Sequence, residues 1–194
     1  MGSEHLNYPT LIVITGRPAS GKSTLTHALA RAIRCPIISR DEIKEGLMNT
    51  IKHDGESQDS DSNKHVYNTF FEAIEFLLQR RITIICEAAF QHKLWASKLE
   101  TLSKIAQVKI IYCSISPSLA QARFIQRGLD DPERSHFHED WTTQEAGKER
   151  LTRYYTPPIL DVPTLTVDTS VDYQPTFANI VTFINTPLLD PNIP

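Results

Sequence analysis

The segment Gly16-Arg17-Pro18-Ala19-Ser20-Gly21-Lys22-Ser23-Thr24 most narrows what this chain can become, because it has the form G-x-x-x-x-G-K-[ST] and sits between two different periodicities. Before it runs Leu11-Ile12-Val13-Ile14-Thr15, with the length and composition of a buried strand. After it, Leu25, Ala28, Leu29, Ala32 and Ile33 recur at helical spacing. Gly16 and Gly21 open backbone conformations closed to other residues, so consecutive N–H groups can turn inward onto an anion. The helix that begins near Lys22 aims its positive end at the same place. In such a turn Lys22 is expected to reach β- and γ-phosphates, and the Ser23 hydroxyl to take one position on Mg²⁺. The plain alternative is an ordinary glycine turn between strand and helix.

The rest of the chain alternates. Pro36-Ile37-Ile38-Ser39 reads as a second strand, and Arg40 to Met48 as a helix with Asp41 and Glu42 in its first turn. Lys52 to Asn63 is polar without apolar periodicity and is expected to be a mobile surface loop. A core-facing helix then shows Phe70, Phe71, Ile74, Leu77 and Leu78 from Tyr67 onward. Arg81 to Glu87 is a third strand, apolar on both faces, and Lys93 to Ile105 a helix with Trp95, Leu99, Leu102 and Ala106 on its buried side. Val108 to Ser114 is a fourth strand. Ser116-Pro117 supplies a cap and a first-turn proline for a helix to about Gly128. Leu129 to Asp140 is polar and irregular, a second candidate mobile segment. A helix from Thr142 to Tyr155, a fifth strand at Leu165–Val167 and a last helix from Pro175 to Ile184 complete the pattern. No internal repeat is visible.

Strands alternating with helices predict an α/β fold, a parallel sheet covered on both faces whose strand ends converge on one crevice. Four positions reach that crevice: Gly16, Asp41, Glu87 and Asp168. At 194 residues, 40% hydrophobic and 22% charged, the chain has the size of one soluble domain with a full core. A formal net charge of −3 argues against broad nucleic-acid binding. No apolar run approaches the ~20 residues that span a bilayer, and Met1 to Tyr8 lacks the basic-then-apolar order of a signal peptide, so a cytoplasmic protein is expected. Cys35, Cys86 and Cys113 show no C-x-x-C pairing and read as reduced core cysteines.

A carboxylate at the end of an apolar strand is costly unless it has a partner or a metal-bound water. Beside Mg²⁺ and a substrate hydroxyl, Asp41 can take the proton as the hydroxyl attacks a γ-phosphate; its local alternative is a helix N-cap. Glu87 stands where an acidic residue can orient the metal, its alternative being a structural salt bridge. Arg123 and Arg127, one helical turn apart, repel unless a polyphosphate is shared between them; otherwise they make a solvated basic face. Arg134 can join them. His136, His138 and Asp140 have a spacing that suggests a metal, yet no further cluster completes the set. Asp168-Thr169-Ser170 is placed to border a nucleotide base, and is also common turn chemistry.

The chain resembles the small P-loop kinases that include phage-type polynucleotide 5′-hydroxyl kinase, zeta toxins and chloramphenicol phosphotransferase. The resemblance rests on Gly16 to Thr24, Ile38-Ser39-Arg40-Asp41-Glu42, Cys86-Glu87-Ala88-Ala89-Phe90 and Arg123-Phe124-Ile125-Gln126-Arg127-Gly128, in order over roughly residues 10 to 170. It implies a three-layer P-loop NTPase fold with a five-stranded parallel sheet of order 2-3-1-4-5 and a mobile lid over 121–150. It also implies ATP and Mg²⁺ as cofactors, Asp41 as general base, Arg123 and Arg127 as lid arginines, and Lys22 with Ser23 as the phosphate and magnesium pair. Relatives commonly carry Asp where this chain has Glu87. The acceptor side, 45–70, shows no substrate signature.

The expectation is a single domain over 1–194 that moves the γ-phosphate of ATP to a hydroxyl of a small molecule or nucleotide. Two alternatives stand beside it: a nucleotide-binding regulatory ATPase, and a polynucleotide 5′-hydroxyl kinase, which needs a basic channel the composition does not advertise. GTP switching is disfavoured by the absence of an Asn-Lys-x-Asp motif.

Overall fold

The computed structural model describes residues 8–54, 60–131 and 155–187. Five strands, β1 (Thr10–Gly16), β2 (Ile37–Ser39), β3 (Ile84–Glu87), β4 (Gln107–Ser114) and β5 (Thr164–Asp168), form one sheet of order β2-β3-β1-β4-β5. All four pairings are parallel. The helices among the described residues are α1 (Lys22–Ile33), α2 (Arg40–Asp54), α3 (Ser60–Gln79), α4 (His92–Leu102), α5 (Pro117–Asp130) and α6 (Phe177–Asn185). The strand order is the one expected.

Alternation along β1 explains the layers. Successive side chains of a strand face opposite ways. Leu11 and Val13 enter a core with Phe70, Ile74 and Leu78 of α3 and Trp95 and Leu99 of α4. Ile12 and Ile14 enter another with Leu25 and Leu29 of α1 and Ile180 and Ile184 of α6. All are buried, and each such side chain contributes about 1.5–3 kcal/mol by leaving water. The continuous apolar run of β1 is therefore two half-faces of core written on one strand.

Register carries this packing to the site. Glu87 is level with Ile14 of β1 and with Ser39 of β2, Gly16 is level with Cys113, and Ser114 with Asp168. The last residues of all five strands thus line one edge of the sheet.

Several boundaries differ from the sequence expectation. Most of the polar stretch Lys52 to Asn63 is helical where described, since α2 runs on to Asp54 and α3 starts at Ser60. Backbone bonds sustain a helix end without apolar periodicity. β3 begins at Ile84 rather than Arg81: the Arg80 and Arg81 N–H groups donate to Leu77 and Leu78 carbonyls at 3.0 and 2.9 Å, and Arg81 takes φ 61° to close α3. α4 ends at Leu102, before Ile105, and α5 continues past Gly128. Ser116 caps α5 as its sequence suggests, accepting from the Leu119 N–H at 3.3 Å. The expected helix over 142–155 lies outside the described residues except for Tyr155.

Tyr155 and Lys109 fasten the sheet to its surroundings. The buried Tyr155 hydroxyl lies 2.6 Å from Thr15 Oγ1 and donates to the Phe90 carbonyl at 2.6 Å. Lys109, buried in β4, donates from Nζ to the Phe183 and Ile184 carbonyls at 2.9 and 2.7 Å and to that of Thr186, a cation at the C-terminus of α6. Cys86 and Cys113 are buried and Cys35 half-buried, all as free thiols. Burial pushes the Cys113 thiol up to about 12, which leaves it protonated and inert. No helix among the described residues is long and apolar enough to cross a membrane.

Candidate active site

The glycine-bounded loop lies where β1 ends. Gly16 has φ 153°, and a Cβ placed there would stand 2.5 Å from the Cys113 carbonyl oxygen and 2.6 Å from Ser20 Oγ. No other residue fits so close to β4. Ala19 and Gly21 take left-handed φ values of 61° and 79° on either side of Ser20, which curls the chain back, and the Ser20 N–H donates to the Arg17 carbonyl at 3.2 Å. Such alternation forms a concave nest of N–H groups, and α1 opens from its rim at Lys22.

Three groups meet beneath the loop. Lys22 is 6% exposed; its Nζ donates to the Arg17 carbonyl at 3.1 Å and lies 3.8 Å from Glu87 Oε1. Ser23 Oγ donates to Glu87 Oε2 at 3.1 Å, and Ser39 Oγ reaches the same oxygen at 3.5 Å. Glu87 is 3% exposed. Burial pushes its carboxyl above the usual range and the negative charges of Asp41 and Glu42 add to the push, against Lys22 and the Ser23 hydrogen bond. A carboxylate held at that cost is poised for a stronger cation than a 3.8 Å ammonium.

Asp41 is not the cap of α2. Ser39 is: its Oγ accepts from the Glu42 N–H at 3.4 Å, and Ser39-Arg40-Asp41-Glu42 has the S-x-x-E form of a capping box. Asp41 stands one position into the first turn, its side chain 44% exposed and its Oδ1 accepting from Arg40 Nη1 at 3.1 Å. Arg40 Nη2 also donates to Asn63 Oδ1 at 3.0 Å, which ties α2 to α3.

On the other side, α5 turns toward the end of β5. Arg123 Nη2 donates to the carbonyls of Thr169 and Ser170 at 3.0 and 2.7 Å, so in this state its guanidinium holds the turn after β5. Arg127 follows one turn later and is half-buried. Thr169 is buried; its hydroxyl donates to the Ser20 carbonyl at 2.8 Å, with the Ser114 carbonyl at 3.2 Å. Asp168 Oδ1 accepts from the Ser170 N–H at 2.7 Å, and this bonding to Ser170 draws its carboxyl below the usual range. Arg134, His136, His138 and Asp140 lie outside the described residues, as does most of the lid region beyond Asp131.

Gly16 to Thr24, Glu87, Ser39 and Thr169 are therefore brought together, with Asp41 beside them on α2. Ser39 was given no role from sequence, and Thr169 only a place in a turn set to border a nucleotide base. The capping box announced Ser39; nothing local announces a hydroxyl that bonds a carbonyl 149 positions away. Among the described residues no group of three or more His, Cys, Asp or Glu is set to hold a metal. Ser23 and Glu87 nonetheless supply two hard oxygens 3.1 Å apart, which fits Mg²⁺, an ion that takes few protein ligands and fills its shell with phosphate and water.

Residues 11–151 match the family described as AAA domain. The chain belongs to that family. Within the AAA domain family this chain has a P-loop kinase fold. It superposes on a candidate kinase from Chloroflexus aurantiacus j-10-fl with TM-score 0.80 and 26% identity, over 94% of this chain and 100% of that one. An APS kinase from Mycobacterium tuberculosis, solved with AMPPNP and APS, is similar in fold at TM-score 0.62 and 13% identity, over 92% and 99% of the two chains. A gluconokinase from Sinorhizobium meliloti 1021 gives 0.55 and 20%, over 91% and 90%. No curated protein matches the sequence.

Proposed function

We propose that this AAA domain is an ATP-dependent phosphotransferase that moves the γ-phosphate to a hydroxyl of a small molecule. The observation that carries the proposal is the buried pair Lys22 and Glu87, with the exposed Ser23 hydroxyl bonded to Glu87, at a loop whose first glycine admits no side chain. Kinases among its structural neighbours support it, and two of them are named for small acceptors, gluconate and APS.

The roles follow from chemistry. The loop N–H groups and Lys22 hold the triphosphate, while Ser23 and Glu87 would hold Mg²⁺, which would supply neutralisation of phosphate charge. The acceptor oxygen forms its bond to the γ-phosphorus as the bond to the β,γ-bridging oxygen breaks, and ADP departs. Asp41, in the first turn of α2, receives the hydroxyl proton. Arg127, and Arg123 once released from the turn after β5, offset charge on the transferring group. A cytoplasmic setting accords with a nucleotide-dependent enzyme.

Asp41→Asn tests this directly. It is expected to retain binding of Mg·ATP by calorimetry yet to lose transfer by at least ~100-fold. The acceptor is sought by mass spectrometry for a phosphorylated product across sugars, nucleosides, antibiotics and 5′-hydroxyl oligonucleotides. Nucleotide hydrolysis that no hydroxyl compound accelerates would reassign the chain as a regulatory ATPase.

A further inference from the structure

We propose that Thr169 is a positioning residue for the phosphate grip, acting through the Ser20–Gly21 peptide; this rests on the reading of Gly16 to Thr24 as a nucleotide site. Thr169 Oγ1 donates to the Ser20 carbonyl at 2.8 Å from behind the loop. A peptide unit is planar and trans, so its C=O and N–H point in opposite directions. Pinning the Ser20 carbonyl toward β5 therefore aims the Gly21 N–H to the opposite side, into the concave face of the nest.

Without the pin that peptide is free to turn. It joins two segments that both depart from ordinary backbone, with φ 61° at Ala19 and 79° at Gly21, and a glycine on one side removes the steric barrier to rotation. A Cβ at Gly21 would meet the Thr169 Cβ at 3.7 Å, so the two residues are already in near contact.

Thr169 itself is held from three directions. Its N–H donates to the Ser114 carbonyl at 3.1 Å, its carbonyl accepts from Arg123 at 3.0 Å, and its side chain is buried at 5% exposure. The hydroxyl can also reach the Ser114 carbonyl at 3.2 Å, but the Ser20 oxygen is the nearer acceptor. The role is thus one of alignment before phosphate arrives, with no contact to the nucleotide required of Thr169.

Three variants and one observation on the unaltered protein test it. Thr169→Val keeps shape and removes the donor, and is expected to weaken magnesium-dependent binding of AMPPNP and to raise the KM for ATP by about tenfold. Its kcat should stay within about twofold, because bound phosphate restores the same loop geometry. Thr169→Ser, which keeps the hydroxyl, should recover wild-type binding. A valine variant with unchanged AMPPNP affinity and KM, merely less stable to heat, overturns the proposal, since a structural role alone gives that result. Should the valine protein not fold, Thr169→Ala is judged by the same two constants. In the wild type the Gly21 amide proton resonance should shift downfield on adding AMPPNP, and a resonance that stays in place overturns the proposal whatever the variants do. Wild-type protein that binds no AMPPNP at all defeats the nucleotide-site reading instead.

Discussion

Replacing Gly16 with alanine should remove a large part of the stability of this domain or abolish its grip on nucleotide. At φ 153° a side chain is strained by about 1–3 kcal/mol wherever it occurs. The new methyl would also lie 2.5 Å from the Cys113 carbonyl oxygen and 2.6 Å from Ser20 Oγ. The serine can rotate away. The carbonyl cannot, because Cys113 is paired with Gly16 in the ladder between β1 and β4, and forcing atoms into a packed interior costs about 1–3 kcal/mol more. The combined effect, about 4 kcal/mol, is a large fraction of the ~5–15 kcal/mol that holds a typical domain together. Urea unfolding would show it as a midpoint lowered by about 2 M for a slope near ~2 kcal/mol/M. If the loop instead shifts to relieve the clash, the midpoint recovers but nucleotide affinity falls.

Other glycines calibrate the effect. Gly21→Ala meets nothing nearer than 3.7 Å and should cost only the left-handed conformation, about 1–2 kcal/mol. Gly46 and Gly128, helical with nothing within 4 Å of an added Cβ, should gain about 0.5–1 kcal/mol as alanines. A Gly16→Ala protein with both wild-type midpoint and wild-type affinity would mean that a side chain fits at this position after all.

Lys109→Met should destabilise the protein by about 2 kcal/mol in the same urea assay, because three carbonyls at the end of α6 lose their donor; an unchanged midpoint would mean water serves them equally well. Glu87 binds its proton more tightly folded than unfolded, so its contribution to stability falls as pH rises from the ordinary carboxylate value to its raised folded value. Comparing wild type with Glu87→Gln between pH 4 and 7 should show the wild type losing ground with rising pH, and a difference that stays flat or grows in its favour contradicts the raised value.

How much of this was legible in the sequence depended on the range of the interaction. The loop from Gly16 to Thr24, the strand before it and the helix after it are local patterns, and the structure has them in place. The runs ending at Glu87 and Ser114 announced central strands because both faces of such strands are apolar, and parallel order then set Glu87 beside Ser39 and Ile14. Lys52 to Asn63 misled because absent periodicity was read as absent helix, when helix ends beyond the core need none. Arg123 was legible as a cation near the site, but not that Thr169 and Ser170 carbonyls hold it here. Thr169, Tyr155 and Lys109 act on partners 55 to 149 positions away, and no local pattern records such contacts.

In the function proposed, the turn between β1 and α1 holds the phosphate tail of ATP over Lys22, Ser23 and Glu87. Calorimetric titration of the whole chain with Mg·ATP, repeated on Lys22→Met, tests it most directly. One nucleotide per chain in the wild type, weakened by at least ~100-fold in the variant, is the predicted result. Heat absent from folded wild-type protein, or equal in the two, would contradict it.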